Sequence, residues 1–108
     1  MAETAYIQSE AELDELIANE PALVVDCTAT WCGPCKLVSP LIDQLKEAYS
    51  DRAQIRKLDL DDHKSLAKRF EIRSIPAVMF FKGGERMETL VGAKTYDDYR
   101  QELEKHLG

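Results

Sequence analysis

Apolar and polar positions fall into blocks along the chain, and each block has its own period. Ala22–Cys27 is a continuous apolar run broken only by Asp26, which predicts a central strand covered on both faces. From Pro34 to about Tyr49, residues Leu37, Val38, Leu41, Ile42 and Leu45 recur at helical spacing. Pro34 suits a first helical turn, and Pro40 inside the helix predicts a kink. Thr4–Ile7 is a short candidate edge strand. Ser9 and Glu12 form an S-x-x-E capping box that opens a helix burying Leu13, Leu16 and Ile17. Gln54–Leu60 is a further strand. Asp61 or Asp62 is expected to cap a short helix that turns Leu66, Ala67 and Phe70 inward. Ala77–Phe81 and Glu85–Val91 are strands joined by a Gly83-Gly84 hairpin turn. Thr95-x-x-Asp98 caps a last helix that buries Tyr96, Tyr99, Leu103 and Leu107.

The resulting order is β-α-β-α-β-α-β-β-α. Helical crossovers predict parallel pairs in the first part, and the Gly-Gly turn predicts an antiparallel pair at the end. The fold class is α/β, with a mixed five-stranded central sheet flanked by four helices.

Composition narrows the partners. At 108 residues, one domain spanning 1–108 is expected, long enough to hold a core without disulfides or a metal. The net charge of −6 argues against nucleic acid and anionic membranes. Residues 1–35 hold seven acids and no Lys or Arg, which reads as a solvated acidic helix or as a face that steers a basic partner. Three cysteines are too few, and an odd number, for a stapled secreted scaffold. The N-terminus shows neither a secretory signal nor an Arg-rich transit pattern, and no apolar run approaches membrane-helix length. The expectation is a soluble protein in a reducing compartment, the cytoplasm.

The chemistry concentrates at Trp31-Cys32-Gly33-Pro34-Cys35-Lys36, between the buried strand and the helix. Thiols at i and i+3 on a first helical turn are neighbours and can form a disulfide. Loop-closure arithmetic gives such a bridge only ~2 kcal/mol of stabilisation, against ~4.7 for a 100-residue loop. A pair placed here is a poor staple, better suited to be made and broken. Cys32 sits where free N–H groups and the helix dipole favour an anion, so it is the candidate attacking thiolate. Cys35, one turn deeper, is the candidate resolving thiol. Gly33 leaves backbone room for a substrate, and Pro34 stiffens the turn. Zinc would need further ligands at suitable spacing, and Cys27, His63 and His106 do not supply it. Haem attachment wants His where Lys36 stands, and an iron–sulfur cluster usually wants four cysteines.

Asp26 ends a strand of otherwise apolar residues below the helix start. Desolvation there would raise its pKa and fit it to take a proton from Cys35; the alternative is a solvated strand-end carboxylate. Lys57, on the next strand, is its candidate neighbour. Ile75-Pro76 before a buried strand is either a plain strand start or a cis turn. His63 and His106 read as helix-cap and C-terminal surface residues. Met1 reads as an initiator, and Met79 and Met87 as filler.

These motifs, with V-V-D at Val24–Asp26, I-P at Ile75-Pro76, F-K-x-G-E at Phe81–Glu85 and V-G-A at Val91–Ala93, make the whole chain resemble the thioredoxin family. The resemblance implies that fold and a protein-disulfide reductase activity. It implies that Cys32 attacks, Cys35 resolves, Asp26 is the buried acid–base and Lys57 its neighbour. Pro76 would be a cis proline, and Trp31, Gly33, Pro34, Ile75, Gly92 and Ala93 would line the surface that docks target proteins. It implies a thioredoxin reductase as electron donor, no cofactor besides the Cys32–Cys35 disulfide, and a monomer. The chain departs from the family pattern at Cys27-Thr28, where an aromatic pair is usual, and at Ser74 and Ala77, where Gly and Thr are usual. An oxidant or isomerase is a second redox reading, which Gly33-Pro34 disfavours. From another class, a non-catalytic binding subunit would use the same apolar surface. Cys27, adjacent to Asp26, should face the other side of the sheet as a buried, inert hydrophobe.

Overall fold

β1 (Ala22–Thr28) is buried along its first six residues, and the other elements are arranged to cover it. A computed structural model of the chain describes residues 3–107, so Met1 lies outside the described residues. In chain order the elements are α1 (Glu10–Asn19), β1, α2 (Gly33–Tyr49), β2 (Gln54–Asp59), α3 (Lys64–Arg69), β3 (Ala77–Lys82), β4 (Glu85–Val91) and α4 (Tyr96–Lys105). Alternation along β1 divides the core in two. Leu23, Val25 and Cys27 pack with Leu13 of α1 and Leu66 of α3. Ala22 and Val24 pack with Val38, Ile42 and Leu45 of α2 and with Tyr99 and Leu103 of α4.

The sheet has four strands in the order β2-β1-β3-β4, not five. Thr4–Ile7 contributes a single parallel bridge between Tyr6 and Lys57. It makes two bonds, from Ile7 N–H to Lys57 O at 2.8 Å and from Lys57 N–H to Ala5 O at 3.0 Å. The ladder stops there because the flanking amides go to side chains. Thr4 N–H donates to Asp43 Oδ1, and Gln8 N–H donates to Glu12 Oε1.

β1 and β2 are parallel, joined by α2 as expected. β3, however, runs antiparallel to β1 as well as to β4. The connection, residues 60–76, stays at the end of the sheet where β2 stops. α3 rises only roughly 9 Å, and the chain then turns back on it, with Glu71 at φ +56° and Ile72 N–H donating to Ala67 O at 2.8 Å. β3 therefore starts where β1 ends, with Ala77 opposite Cys27. Gly83 (φ +56°) and Gly84 (φ +90°) form the two-residue turn into β4, in the left-handed conformation that tight hairpins require.

Local signals are met, with differences at the α3 cap, Leu37, His106 and Met87. Ser9 Oγ accepts the Glu12 amide, and Thr95 with Asp98 makes a full reciprocal box. α3 starts after His63 with no side-chain cap, because Asp61 bonds elsewhere. Leu37 is 70% exposed. The buried seam of α2 runs Val38, Ile42, Leu45, Tyr49, and Leu37 lies about 100° away from it on the helical wheel. α2 runs through Pro40 without a break. His106 is not a free surface residue: its Nε2 lies 2.9 Å from Glu102 Oε2, and its ring approaches Phe80. Met79 is core, whereas Met87 on β4 is exposed.

The two leucines of α2 separate packing from pattern. Leu45→Ala should cost about 2–5 kcal/mol in urea unfolding, and Leu37→Ala less than ~0.5. Equal losses would show that exposure does not report the core.

Candidate functional site

The end of β1 hands the chain directly to the first turn of α2. Cys32 is the N-cap, and its Sγ accepts the backbone N–H of Cys35 at 3.2 Å. Cys32 and Cys35 are disulfide-bonded, with their Cα atoms 5.3 Å apart. Both are buried. The reversal of β3 brings Ile75-Pro76 to the same place. Their peptide bond is cis, and the Ile75 carbonyl oxygen lies 3.9 Å from Cys32 Sγ. The Ile75 side chain packs against Ala29, Cys32 and Cys35. Gly92 N–H donates to Pro76 O at 2.8 Å with φ +90°, a conformation that favours glycine. Trp31, Gly33, Pro34 and Ala93 are exposed around this centre, Trp31 at 70%. Residues 28–35 carry no charge, so the rim of the disulfide is a neutral, largely apolar surface.

Trp31 is held from a distance. Its Nε1–H donates to Asp61 Oδ1 at 2.9 Å, while Thr30 Oγ1 lies 3.5 Å from Asp61 Oδ2. Nothing in the spacing of Asp61 announces this contact across thirty residues.

Below the helix start, on the sheet face that α2 covers, Asp26 is 1% exposed and neither carboxylate oxygen has a hydrogen-bond partner in the structure. Burial pushes its pKa up from 3.8 to about 7; the nearby Lys57 ammonium opposes this, and Asp43 adds to it. Lys57 is buried and is the register partner of Asp26 on β2. Its ammonium is bonded elsewhere, with Nζ 2.6 Å from Ser39 Oγ and 2.9 Å from Asp43 Oδ1. Sequence reasoning placed Asp26 and Lys57 together but missed Ser39 and Asp43. Their signal is an i, i+4 polar pair on the flank of an otherwise apolar seam. A cavity of ≈ 260 Å³ between β1, β2 and α2 is lined by Cys35, Ser39 and Thr28, so Cys35 and the Lys57 network share a wall.

Cys27 is fully buried and unpaired, on the opposite face from Asp26. Burial, reinforced by the Asp26 charge, pushes its thiol up to about 12. Among the described residues, no three His, Cys, Asp or Glu side chains are grouped to hold a metal, and no helix is long and apolar enough to cross a membrane.

With this geometry in hand, comparison with known proteins is direct. The thioredoxin family model matches residues 4–105. Thioredoxin 1 of Synechococcus elongatus is 36% identical over 107 residues, covering 99% of this chain and 100% of its own. The thioredoxin of Staphylococcus haemolyticus is 40% identical over 99 residues, covering 92% and 94%. Among solved structures, a mutant thioredoxin from Halobacterium salinarum superposes with a TM-score of 0.90 at 30% identity, over 98% of this chain and 92% of that one.

Two measurements test the buried groups. Folded Asp26 keeps its proton to about pH 7, whereas in the unfolded chain it ionises near 4. Between those values the folded state binds more protons, so stability falls as pH rises through that window. At ~1.4 kcal/mol per pH unit, the ionised carboxylate costs about 4 kcal/mol above pH 7. The oxidised Asp26→Asn protein should therefore be more stable at pH 8 than the parent and lose the decline between pH 4 and 7. Urea midpoints that track the parent at every pH would refute this. Separately, in the reduced native protein Cys27 should take up no alkylating reagent until the chain unfolds. Fast native labelling of Cys27 would contradict its burial.

Proposed function

Since the chain belongs to the thioredoxin family and is a protein-disulfide oxidoreductase, we propose that it acts as a reductant, with Cys32 and Cys35 in successive roles. In the dithiol form, the Cys32 thiolate attacks one sulfur of a target disulfide. A mixed disulfide forms and the other target sulfur leaves as a thiolate. Cys35 then attacks Cys32 Sγ, its proton passing to Asp26. The target departs with both sulfurs reduced, and the Cys32–Cys35 bond is restored. The observation that carries this reading is Cys32 at the N-cap, its sulfur facing the Cys35 amide. A thiolate there is stabilised by the same N–H group that the disulfide sulfur meets.

Trp31, Gly33, Pro34, Ile75, Pro76, Gly92 and Ala93 form the docking surface in this proposal. An extended target segment lies along the Ile75 backbone, which suits many sequences because main-chain contacts supply the affinity. Lys57 modulates Asp26 and does not touch the target. A thioredoxin reductase supplies the two electrons, no cofactor is needed beyond the cysteine pair, and the protein works as a monomer. We place it in the cytoplasm because a dithiol that must be regenerated each cycle needs a reducing compartment.

In an insulin-disulfide reduction assay with a reductase supplied, NADPH- and ferredoxin-linked in parallel, Cys32→Ser should fall to the background rate. Cys35→Ser should instead accumulate mixed disulfides on Cys32, visible by mass spectrometry. Wild-type turnover by Cys32→Ser would overturn the proposal. Full rescue of a deletion strain by the double Cys32/Cys35→Ser variant would favour a binding subunit instead.

A further inference from the structure

Lys57 stands beside Asp26 in the sheet yet is bonded to other groups. The two residues are register partners on β1 and β2. Two of the three ammonium donors are accounted for, by Ser39 Oγ at 2.6 Å and Asp43 Oδ1 at 2.9 Å. Ser39 and Asp43 are one turn apart on α2. Asp43 Oδ1 also accepts the Thr4 hydroxyl at 2.7 Å and the Thr4 backbone N–H at 3.2 Å. Thr4 is itself buried, so the strap that carries it fixes Asp43 in turn. Burial works against ionisation of Asp43, but the bonds from Thr4 and Lys57 prevail and hold its carboxyl below the usual value. Asp26, by contrast, has neither oxygen bonded.

We propose that Asp43, anchored by Thr4, is a positioning residue: it holds the Lys57 ammonium on the α2 side and so leaves the Asp26 carboxyl unpaired. The inference rests on Asp26 serving as the proton acceptor for Cys35. An ammonium bonded directly to Asp26 would favour the carboxylate, an effect worth one to three pH units for a close opposite charge. An ammonium already neutralised by Asp43 presents Asp26 with a dipole instead, and the Asp43 charge itself opposes ionisation. The other groups facing Asp26 do not substitute for this. Tyr99 comes from α4 on the same face and is neutral, with burial as the main cause of its raised pKa. The disulfide-bonded Cys35 carries no charge. Cys27 and, near it, Arg86 lie toward the opposite face.

The test is a carbon-13 NMR titration of the Asp26 carboxyl in the oxidised full chain. Asp43→Asn is nearly isosteric but removes the charge that holds and neutralises the Lys57 ammonium. The Asp26 midpoint should fall by about one pH unit. Thr4→Val, which loosens Asp43, should move it the same way by less, and serves if Asp43→Asn folds poorly. In a Lys57→Met background the Asp43→Asn shift should shrink to less than half. A midpoint unchanged in Asp43→Asn, or a full shift persisting without Lys57, would overturn the proposal. The pH profile of target release from the Cys32 mixed disulfide should move with the NMR midpoint. If the midpoint moves and the profile does not, Asp43 positions Lys57 as proposed and the proton-acceptor role of Asp26 fails.

Discussion

The pairing of β1 with β3 decides where the chemistry sits. Because the chain turns back after α3, β3 begins at the end where β1 stops. That single reversal sets the Ile75 carbonyl against Cys32 Sγ and, through the β3–β4 hairpin, brings Gly92 to Pro76. A third parallel strand would have placed Ile75-Pro76 at the opposite edge of the molecule. The helix start places Cys32 at an N-cap, and the strand reversal sets a neutral, largely apolar surface beside it.

The same spine imposes a cost. Covering β1 on both faces buries Asp26 with neither oxygen bonded to another protein group, and the fold bears the desolvation of its charge. A fully apolar residue would stabilise the sheet more. What the carboxyl provides is a group that can change protonation near neutrality next to the helix that carries Cys35. Lys57, Asp43, Ser39 and Thr4 surround that group with a network whose own members are well bonded. Among the described residues, the buried side-chain oxygens left unbonded are those of Asp26.

Much of this was legible in the chain because its causes are local. Cys32, Pro34 and Cys35 declare a helix start; Ser9 with Glu12 and Thr95 with Asp98 declare two more. The apolar run at Ala22–Cys27 announces a strand with two covered faces, and parity alone sends Cys27 away from Asp26. What stayed hidden depends on distance. Asp61 looks like a helix cap until Trp31 arrives from thirty residues away. Thr4 looks like the start of a strand until Asp43 takes its amide. Leu37 fits the helical period yet falls outside the seam, because period does not fix which flank meets the sheet. The direction of β3 follows from the turn after α3 at Glu71 and Ile72, and a helix boundary is among the least certain things a sequence supplies.

Cys27 has a consequence for how the protein oxidises as it folds. Three cysteines allow three one-bridge isomers, and two of them involve Cys27. In the folded chain the sheet lies between Cys27 and the face on which Asp26 and α2 pack, and its thiol is held far above neutrality. A bridge from Cys27 to either motif cysteine is incompatible with that placement. Any such isomer formed in an open chain must be broken before β1 can be covered. The sheet therefore acts as a sorting wall: of the three possible bridges, the completed core accommodates Cys32–Cys35.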